Sequence, residues 1–467
     1  MKSFPRSLVA CMSALALCAA APDPRALMRA QSAPGLELVV IDHGRVVTNV
    51  VYGVRNVDTQ QPVDVHTRFE IGSITKQFTA AAILQLRERG RLSLDDRLGK
   101  YVPQYRQGRD VTLRQLLMQV SGIPNYTDTH AFKRLVTLRG TTVVLSRSGT
   151  FDAILAMLDG MPLSFKPGTK WQYSNSNYIL LGRVVEIASG MPWRQYVRAH
   201  IFAPAGMTES SFMDDERGIV DMATGYRLVH GHLHPTGTFN GWARSAGAIV
   251  STASDLAKWD EALFSGKLIG AADLRRMLTS GALPALNPRS HYAFGWAVDR
   301  YDGQPRVWHN GGTLGFSASN QVYPQLGQTI IVLENNSTAS ADSVVDAAFE
   351  RLHPQFARVA NAAAPGEDPA VTARAKATLA QFLTGALDRT QLSATMNRAM
   401  TAQVIANAKM QFASLGTPVT WIFRGKTVAG GNTTYAYHVT FSTGVQLNVY
   451  MSVDAGGKIS GYLLTPN

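Results

Sequence analysis

Cysteine is almost absent from this chain: its 467 residues hold two, Cys11 and Cys18. Both fall in a leader-like segment, so the remainder has no thiol for a disulfide framework, a cysteine nucleophile or a zinc thiolate site. Stability must then come from packing, which a region of about 320 residues can supply without staples. No apolar run reaches the roughly 20 residues that a membrane span needs. The apolar stretch from Ser7 to Ala21 follows Lys2 and Arg6 and reads as a signal peptide over residues 1–21, so an exported, periplasmic or secreted protein is expected. A lipid anchor at Cys18 is the lesser alternative, because Leu17 spoils the usual processing box. A G-x-S-x-G elbow is missing, which argues against the ordinary α/β-hydrolase fold. His230-Gly231-His232-Leu233-His234 is not followed by H-x-H-x-D-H, and Gly231 reads as a turn that splays the three imidazoles. No metal and no cofactor are therefore expected.

The formal charge is +12, and removing Lys2 and Arg6 with the leader leaves +10. A basic surface of this kind is drawn to anionic envelope polymers. The positive residues are dispersed and no nucleic-acid motif accompanies them, so nucleic acid is excluded as the expected partner.

What is present is a set of short polar motifs in a fixed order. Ser73-Ile74-Thr75-Lys76 is the one S-x-x-K tetrad, placed after Gly72 at the start of a helical run in which Ile74, Phe78, Ala82 and Leu86 recur every fourth residue until Gly90. Three residues apart on a helix share a face, so Lys76 can supply the proton acceptor that Ser73, the candidate nucleophile, needs, and the helix amino terminus a place for the oxyanion. Tyr173-Ser174-Asn175 follows a Pro167-Gly168 turn on what reads as a short non-helical loop, and offers a phenol and an amide that can relay a proton or orient a lysine. Trp308-His309-Asn310-Gly311-Gly312 lies between a strand ending near Trp308 and a β-rich run from Gly315 to Leu333. Its glycines let a ligand approach backbone N–H groups at a sheet edge. Each motif alone also suits a surface helix, a capped loop or a simple turn; their order and co-occurrence carry the weight.

With Phe69-Glu70-Ile71-Gly72, Leu116 to Pro124, Ala246 to Thr252 and Phe294-Gly295-Trp296, the chain resembles the penicillin-recognising serine hydrolases. It is most similar to the branch of class C β-lactamases, D-Ala-D-Ala carboxypeptidases and related esterases, over residues 35 to 355. The resemblance implies Ser73 as acyl acceptor, Lys76 and Tyr173 as its activating pair, and Asn175 as the orienting amide. It also implies that His309 and Gly311 line the third-motif strand, and that the oxyanion sits between the N–H groups of Ser73 and Gly312. A lysine base must be held about 3 pK units low, a differential of roughly 4 kcal/mol. If Tyr173 titrates low instead, the pair shares one proton, and the sequence leaves both assignments open. His309 stands where many members carry lysine; a histidine is partly charged at neutral pH, so a poor penicillinase is expected.

The expected fold is α/β of the α+β kind, an antiparallel β-lactamase/transpeptidase-like sheet built from both ends of residues 33–356, with a helical insert whose junction holds the site. Leu36 to Asp42 and Arg45 to Tyr52 form a hairpin about His43-Gly44. An exposed, mobile linker is expected over 357–370. An accessory α+β domain follows over 371–467, faintly similar to nuclear-transport-factor-like folds. The expected partner is a small-molecule or peptide substrate, cell-wall peptides included. Two alternatives stand beside the hydrolase: a true class C-like β-lactamase or D-Ala-D-Ala carboxypeptidase, and a non-catalytic peptidoglycan-binding sensor.

Overall fold

The computed structural model describes residues 33–466 apart from 140–141, 214–217, 230, 240, 280–289, 357–362, 413–414 and 443–444. The expected signal peptide and Cys18 lie outside the described residues. Within them, no helix is long and apolar enough to cross a membrane. The chain divides into two compact units between Pro354 and Gln355.

The first unit is built on an antiparallel sheet. β1 (Gly35–Asp42) and β2 (Arg45–Asn56) form the expected hairpin, with His43 and Gly44 at positive φ in its turn. Four strands then return from the far end of the unit: β3 (Ala297–Tyr301), β4 (Gln304–Gly312), β5 (Ser317–Tyr323) and β6 (Gln328–Glu334). Their spatial order is β3-β4-β5-β6-β1-β2, flanked by the two-residue strands His291–Tyr292 and Gln61–Pro62. β6 is buried along its whole length and β1 along all but its last residue, which explains why both read as continuous apolar runs rather than alternations. The insert between β2 and β3 carries α1 (Thr75–Glu88), α2 (Asn175–Ser189), the short α3 (Arg244–Gly247) and α4 (Ala253–Phe264). α4 packs on β1 and β6, and α5 (Ala341–Leu352) on β5 and β6. Phe78, Trp259, Phe202 and Phe212 are linked by ring contacts in the core beneath α1.

Two details differ from the sequence reading. β4 does not end near Trp308 but continues through His309 to Gly312, paired with β5 throughout that stretch. Its other edge is paired with β3 only as far as Trp308, so residues 309 to 312 form the free edge that the adjacent glycines suggested. The insert also contains hairpins that the sequence reading passed over, Val136–Arg139 with Thr142–Leu145 and Tyr226–Val229 with His232–Pro235. The second turns at Gly231 (φ +82°), as expected of that glycine, and His230 is outside the described residues.

The second unit starts earlier than expected. Asp368 caps α6 (Pro369–Thr384) by accepting from the N–H groups of Ala370 and Val371, with Pro369 in the first turn. The Ala364 N–H donates to the Phe423 carbonyl at 2.7 Å, so the later half of the segment expected to be a mobile linker is docked on this unit. Four antiparallel strands, β7 (Pro418–Ala429), β8 (Asn432–Phe441), β9 (Gln446–Asp454) and β10 (Ile459–Pro466), follow in simple meander order. Leu379 and Phe382 of α6 share a core with Phe423, Tyr437, Val439, Val449 and Met451.

The first unit's sheet buries carboxyl groups as well as apolar side chains. Burial pushes Glu37, Asp260 and Glu334 each up to about 8. These groups keep their protons in the folded protein at pH values where the unfolded chain has shed them. Their contribution is fully present below the ordinary carboxylate range and is lost as pH rises toward 8. The buried Lys76 and His309, whose pKa values burial lowers, act in the opposite sense, so the effect is read as a difference. Glu334→Gln, which stays neutral, is expected to lose less melting temperature than the wild type between pH 5.5 and 8.5 at constant ionic strength, and parallel profiles would contradict the burial of a protonated Glu334.

Candidate active site

The sequence places Ser73 at a sharp junction. Gly72 takes φ +50°, the left-handed region open to glycine, and a single 3-10 turn (Gly72–Ile74) runs straight into α1. Ser73 therefore sits at a helix N-terminus, where backbone N–H groups lack partners one turn back and favour negative charge. The free edge of β4 passes directly beside this turn. A Cβ placed on Gly311 would lie 2.0 Å from the Ile71 carbonyl oxygen, and one on Gly72 would lie 2.7 Å from the Gly312 nitrogen. Neither glycine tolerates a side chain without displacing backbone. Thr313 N–H is bonded to the Phe316 carbonyl, so the antiparallel alternation turns the Gly312 N–H away from β5 and toward Ser73. Two N–H groups, those of Ser73 and Gly312, thus flank the space above the serine.

Lys76 lies one helical turn on and is wholly buried. Its Nζ is 2.9 Å from Ser73 Oγ, 2.8 Å from Asn175 Oδ1 and 2.7 Å from the Ala246 carbonyl oxygen. Burial holds it well below the usual lysine range. Asn175 Oδ1 and Ala246 O can only accept, so they take both hydrogens of a neutral amine and leave its lone pair facing the Ser73 hydroxyl. The Tyr173 hydroxyl donates to Ser73 Oγ at 2.7 Å. Burial pushes that phenol above its ordinary range, with the bond to Ser73 opposing only in part. The geometry and the direction of both shifts leave Lys76 a neutral amine with its lone pair toward Ser73 and Tyr173 a protonated donor.

Asn175 is not in a loop, as the sequence reading had it. It is the first residue of α2, its N–H donating to Asn125 Oδ1 at 3.1 Å. Sequence reasoning missed the residue that shapes this turn, Gln119. Its backbone adopts φ +62°, its side chain is buried, and its Oε1 accepts from Ser174 N–H at 3.0 Å and from Asn177 Nδ2 at 2.6 Å. Its carbonyl accepts from Gln172 N–H. Gln119 lies inside the Leu116–Pro124 segment, which marked the resemblance without giving that residue a role.

His309 departs most from expectation. It is buried, and burial, with a contribution from Lys76 whenever that amine is protonated, lowers it to about 3, so it is neutral rather than partly charged at pH 7. Its Nδ1 is 2.6 Å from the Asn310 carbonyl and its Nε2 is 2.9 Å from the Tyr292 hydroxyl. A carbonyl only accepts, so Nδ1 carries the hydrogen and Nε2 accepts from Tyr292, a pairing that suits a neutral ring. His309 packs edgewise against Tyr292 and near the Tyr173 ring, where it braces the phenol and carries no charge. Asn310 points the other way, to Asp342 at 2.7 Å. Among the described residues, no three His, Cys, Asp or Glu side chains gather as a metal site.

The family model described as Beta-lactamase matches residues 24–355, most of the chain. The chain belongs to the β-lactamase family. Protein flp of Staphylococcus aureus (strain MW2) is 27% identical over 340 residues, which cover 70% of this chain and 65% of flp. This chain therefore spans just under two thirds of that relative's length. A D-stereospecific amidohydrolase from Streptomyces sp. superposes with TM-score 0.61 at 29% identity, covering 70% of this chain and 99% of that one. The octameric penicillin-binding protein homologue from Pyrococcus abyssi superposes with TM-score 0.63 over 94% of this chain and 98% of its own, at 23% identity, a likeness of fold. As a β-lactamase-family fold, the first unit has the mixed antiparallel architecture expected from the sequence.

Proposed function

We propose that the chain is an exported serine hydrolase that cleaves an ester, a D-amino-acid amide or a peptide through an acyl-enzyme on Ser73. One observation carries this reading: Ser73 Oγ lies within hydrogen-bond distance of both a buried lysine held low and a protonated tyrosine. Ser73 attacks the substrate carbonyl carbon and passes its proton to Lys76. The oxyanion forms between the Ser73 and Gly312 N–H groups, each such donor contributing about 3 kcal/mol. As the tetrahedral species collapses, the leaving amine or alkoxide takes the proton held by Lys76, relayed through the Tyr173 hydroxyl. Water then attacks the acyl carbonyl as Lys76 takes one of its protons, and collapse breaks the ester bond to Ser73 Oγ, which takes that proton back from Lys76 as the acid product leaves. A binding module has no need of a desolvated lysine beside a hydroxyl, which weighs against the sensor alternative.

The neutral His309 argues for substrates without a carboxylate at the third-motif strand. A charged hydrogen-bond partner contributes about 1.5 to 3 kcal/mol, roughly a ten- to hundredfold preference that this site gives up. The similarity to a D-stereospecific amidohydrolase supports the D-amino-acid amide as the first substrate to try. Export rests on the basic, apolar leader, after which the family match begins. The test is a panel of a D-amino-acid amide, its L-enantiomer, a neutral activated ester and benzylpenicillin. The proposal expects kcat/KM for the D-amide and the ester to exceed that for benzylpenicillin by at least about tenfold. Penicillin turnover equal to theirs would favour the β-lactamase or carboxypeptidase reading.

A further inference from the structure

A cavity of about 190 Å³ lies between α3, α2 and the segment around Trp193, and Ser73 is not among its lining residues. Among the described residues its lining includes Arg183, Arg194, Arg244 and Glu186. Glu186 is already engaged, accepting from Arg183 at 2.9 Å and from the Trp193 N–H at 3.4 Å. Arg244 has no ion-pair or hydrogen-bond partner among the described residues, although it is half-buried. Its backbone is also strained, with φ +38° at a residue that is not glycine. Strain of this kind costs on the order of 1 to 3 kcal/mol and persists where surrounding structure over-determines it. A half-buried cation with no partner among the described residues, on a strained backbone and facing a concave space, suits an anion.

The wall that carries Arg244 also reaches the catalytic lysine. In the next two positions, the Ser245 carbonyl accepts from Thr79 Oγ1 of α1 at 2.7 Å, and the Ala246 carbonyl accepts from Lys76 Nζ at 2.7 Å. We propose that this cavity binds a small oxyanion, a carboxylate or a phosphate, on Arg244, and that its occupancy lowers turnover at Ser73 through the Arg244–Ala246 wall. The volume suits an ion of a few heavy atoms and is below that of pockets for drug-sized ligands. A negative charge held on this wall favours the ammonium form of Lys76, the form that cannot accept the serine proton.

The experiment titrates the full-length protein with inorganic phosphate and, separately, with acetate, against chloride at matched ionic strength. Melting temperature and kcat/KM for a neutral ester are read at one fixed pH. Arg244→Gly is the first variant, since glycine accepts φ +38° without strain and the fold is expected to survive; Arg183→Ala is the second. The expected result is a saturable rise in melting temperature with at least one anion, half-complete at millimolar concentration, and a fall in kcat/KM with the same midpoint. Both responses are lost in Arg244→Gly and weakened in Arg183→Ala. The anion that produces them distinguishes a carboxylate from a phosphate ligand. Melting curves that do not differ from chloride overturn the site, as does a response that survives in Arg244→Gly, which would mean an adventitious ion only or competition at Ser73. The melting readout needs no turnover, so it tests the cavity even if the assignment of Lys76 as base fails. A rise in melting temperature with unchanged kcat/KM overturns the coupling alone.

Discussion

Replacing Lys76 with methionine lowers kcat/KM for a neutral ester by about 10²- to 10⁴-fold, the range associated with loss of a general base, while the protein stays folded. Methionine matches the length of the buried stem and removes the cost of burying an amine. Against that gain, Asn175 Oδ1 and the Ala246 carbonyl lose their donor, at about 1 to 3 kcal/mol each. The net change in stability is therefore modest beside the change in rate. A Tyr173→Phe variant separates the two members of the pair. It keeps the ring against Tyr292 and removes only the hydroxyl that donates to Ser73 Oγ. If Lys76 is the base, its loss costs more than that of the tyrosine hydroxyl. Steady-state rates alongside circular dichroism and thermal melts make the comparison, and a Lys76→Met enzyme keeping a tenth of the wild-type rate would remove lysine from the mechanism.

The second large effect separates two adjacent glycines. In Gly311→Ala the new methyl group lies 2.0 Å from the Ile71 carbonyl oxygen, a distance no Cβ can keep, so either β4 or the turn before Ser73 must move. That motion separates the two N–H groups that face the developing oxyanion. Loss of one such donor lowers kcat by about 10² to 10³, and a drop of that size is expected with KM little changed. Gly312→Ala meets nothing within 4 Å and its φ is not in the left-handed region. It should fold like the wild type and lose activity only as far as its methyl group crowds the substrate. Equal destabilisation of the two variants in thermal melts would mean that β4 does not press on the Ser73 turn as described.

Much of this site was legible because its chemistry is carried by short, ordered motifs. Ser73, Lys76 and Tyr173 meet as the tetrad and the Y-x-N triplet implied, and the hairpin about His43-Gly44 and the returning strands follow from apolar runs bounded by turn residues. The charge state of His309 was not legible, because it depends on burial beside Lys76 and on a partner, Tyr292, seventeen positions away. Gln119 was passed over for a similar reason: its role comes from a positive φ and from contacts more than fifty residues distant, which leave no periodic trace. The Ala246 carbonyl is a backbone group and has no side-chain signature at all. Asn175 was placed in a loop because the Pro-Gly turn before it was visible, whereas the helix it begins takes its first turn from polar residues, Asn175, Ser176 and Asn177, that read equally well as loop.

The central claim, that Ser73 is an acyl acceptor activated by its neighbours, is tested most directly by intact mass. The full-length protein and its Ser73→Ala variant are incubated with a fluorophosphonate, an activated ester and benzylpenicillin, and each is weighed for a covalent adduct. The account predicts one fluorophosphonate adduct on the wild type, none on Ser73→Ala, and an ester adduct that forms and decays faster than any penicillin adduct. Folded wild-type protein that gains no mass with any of the three probes, or labelling that survives in Ser73→Ala, would contradict it.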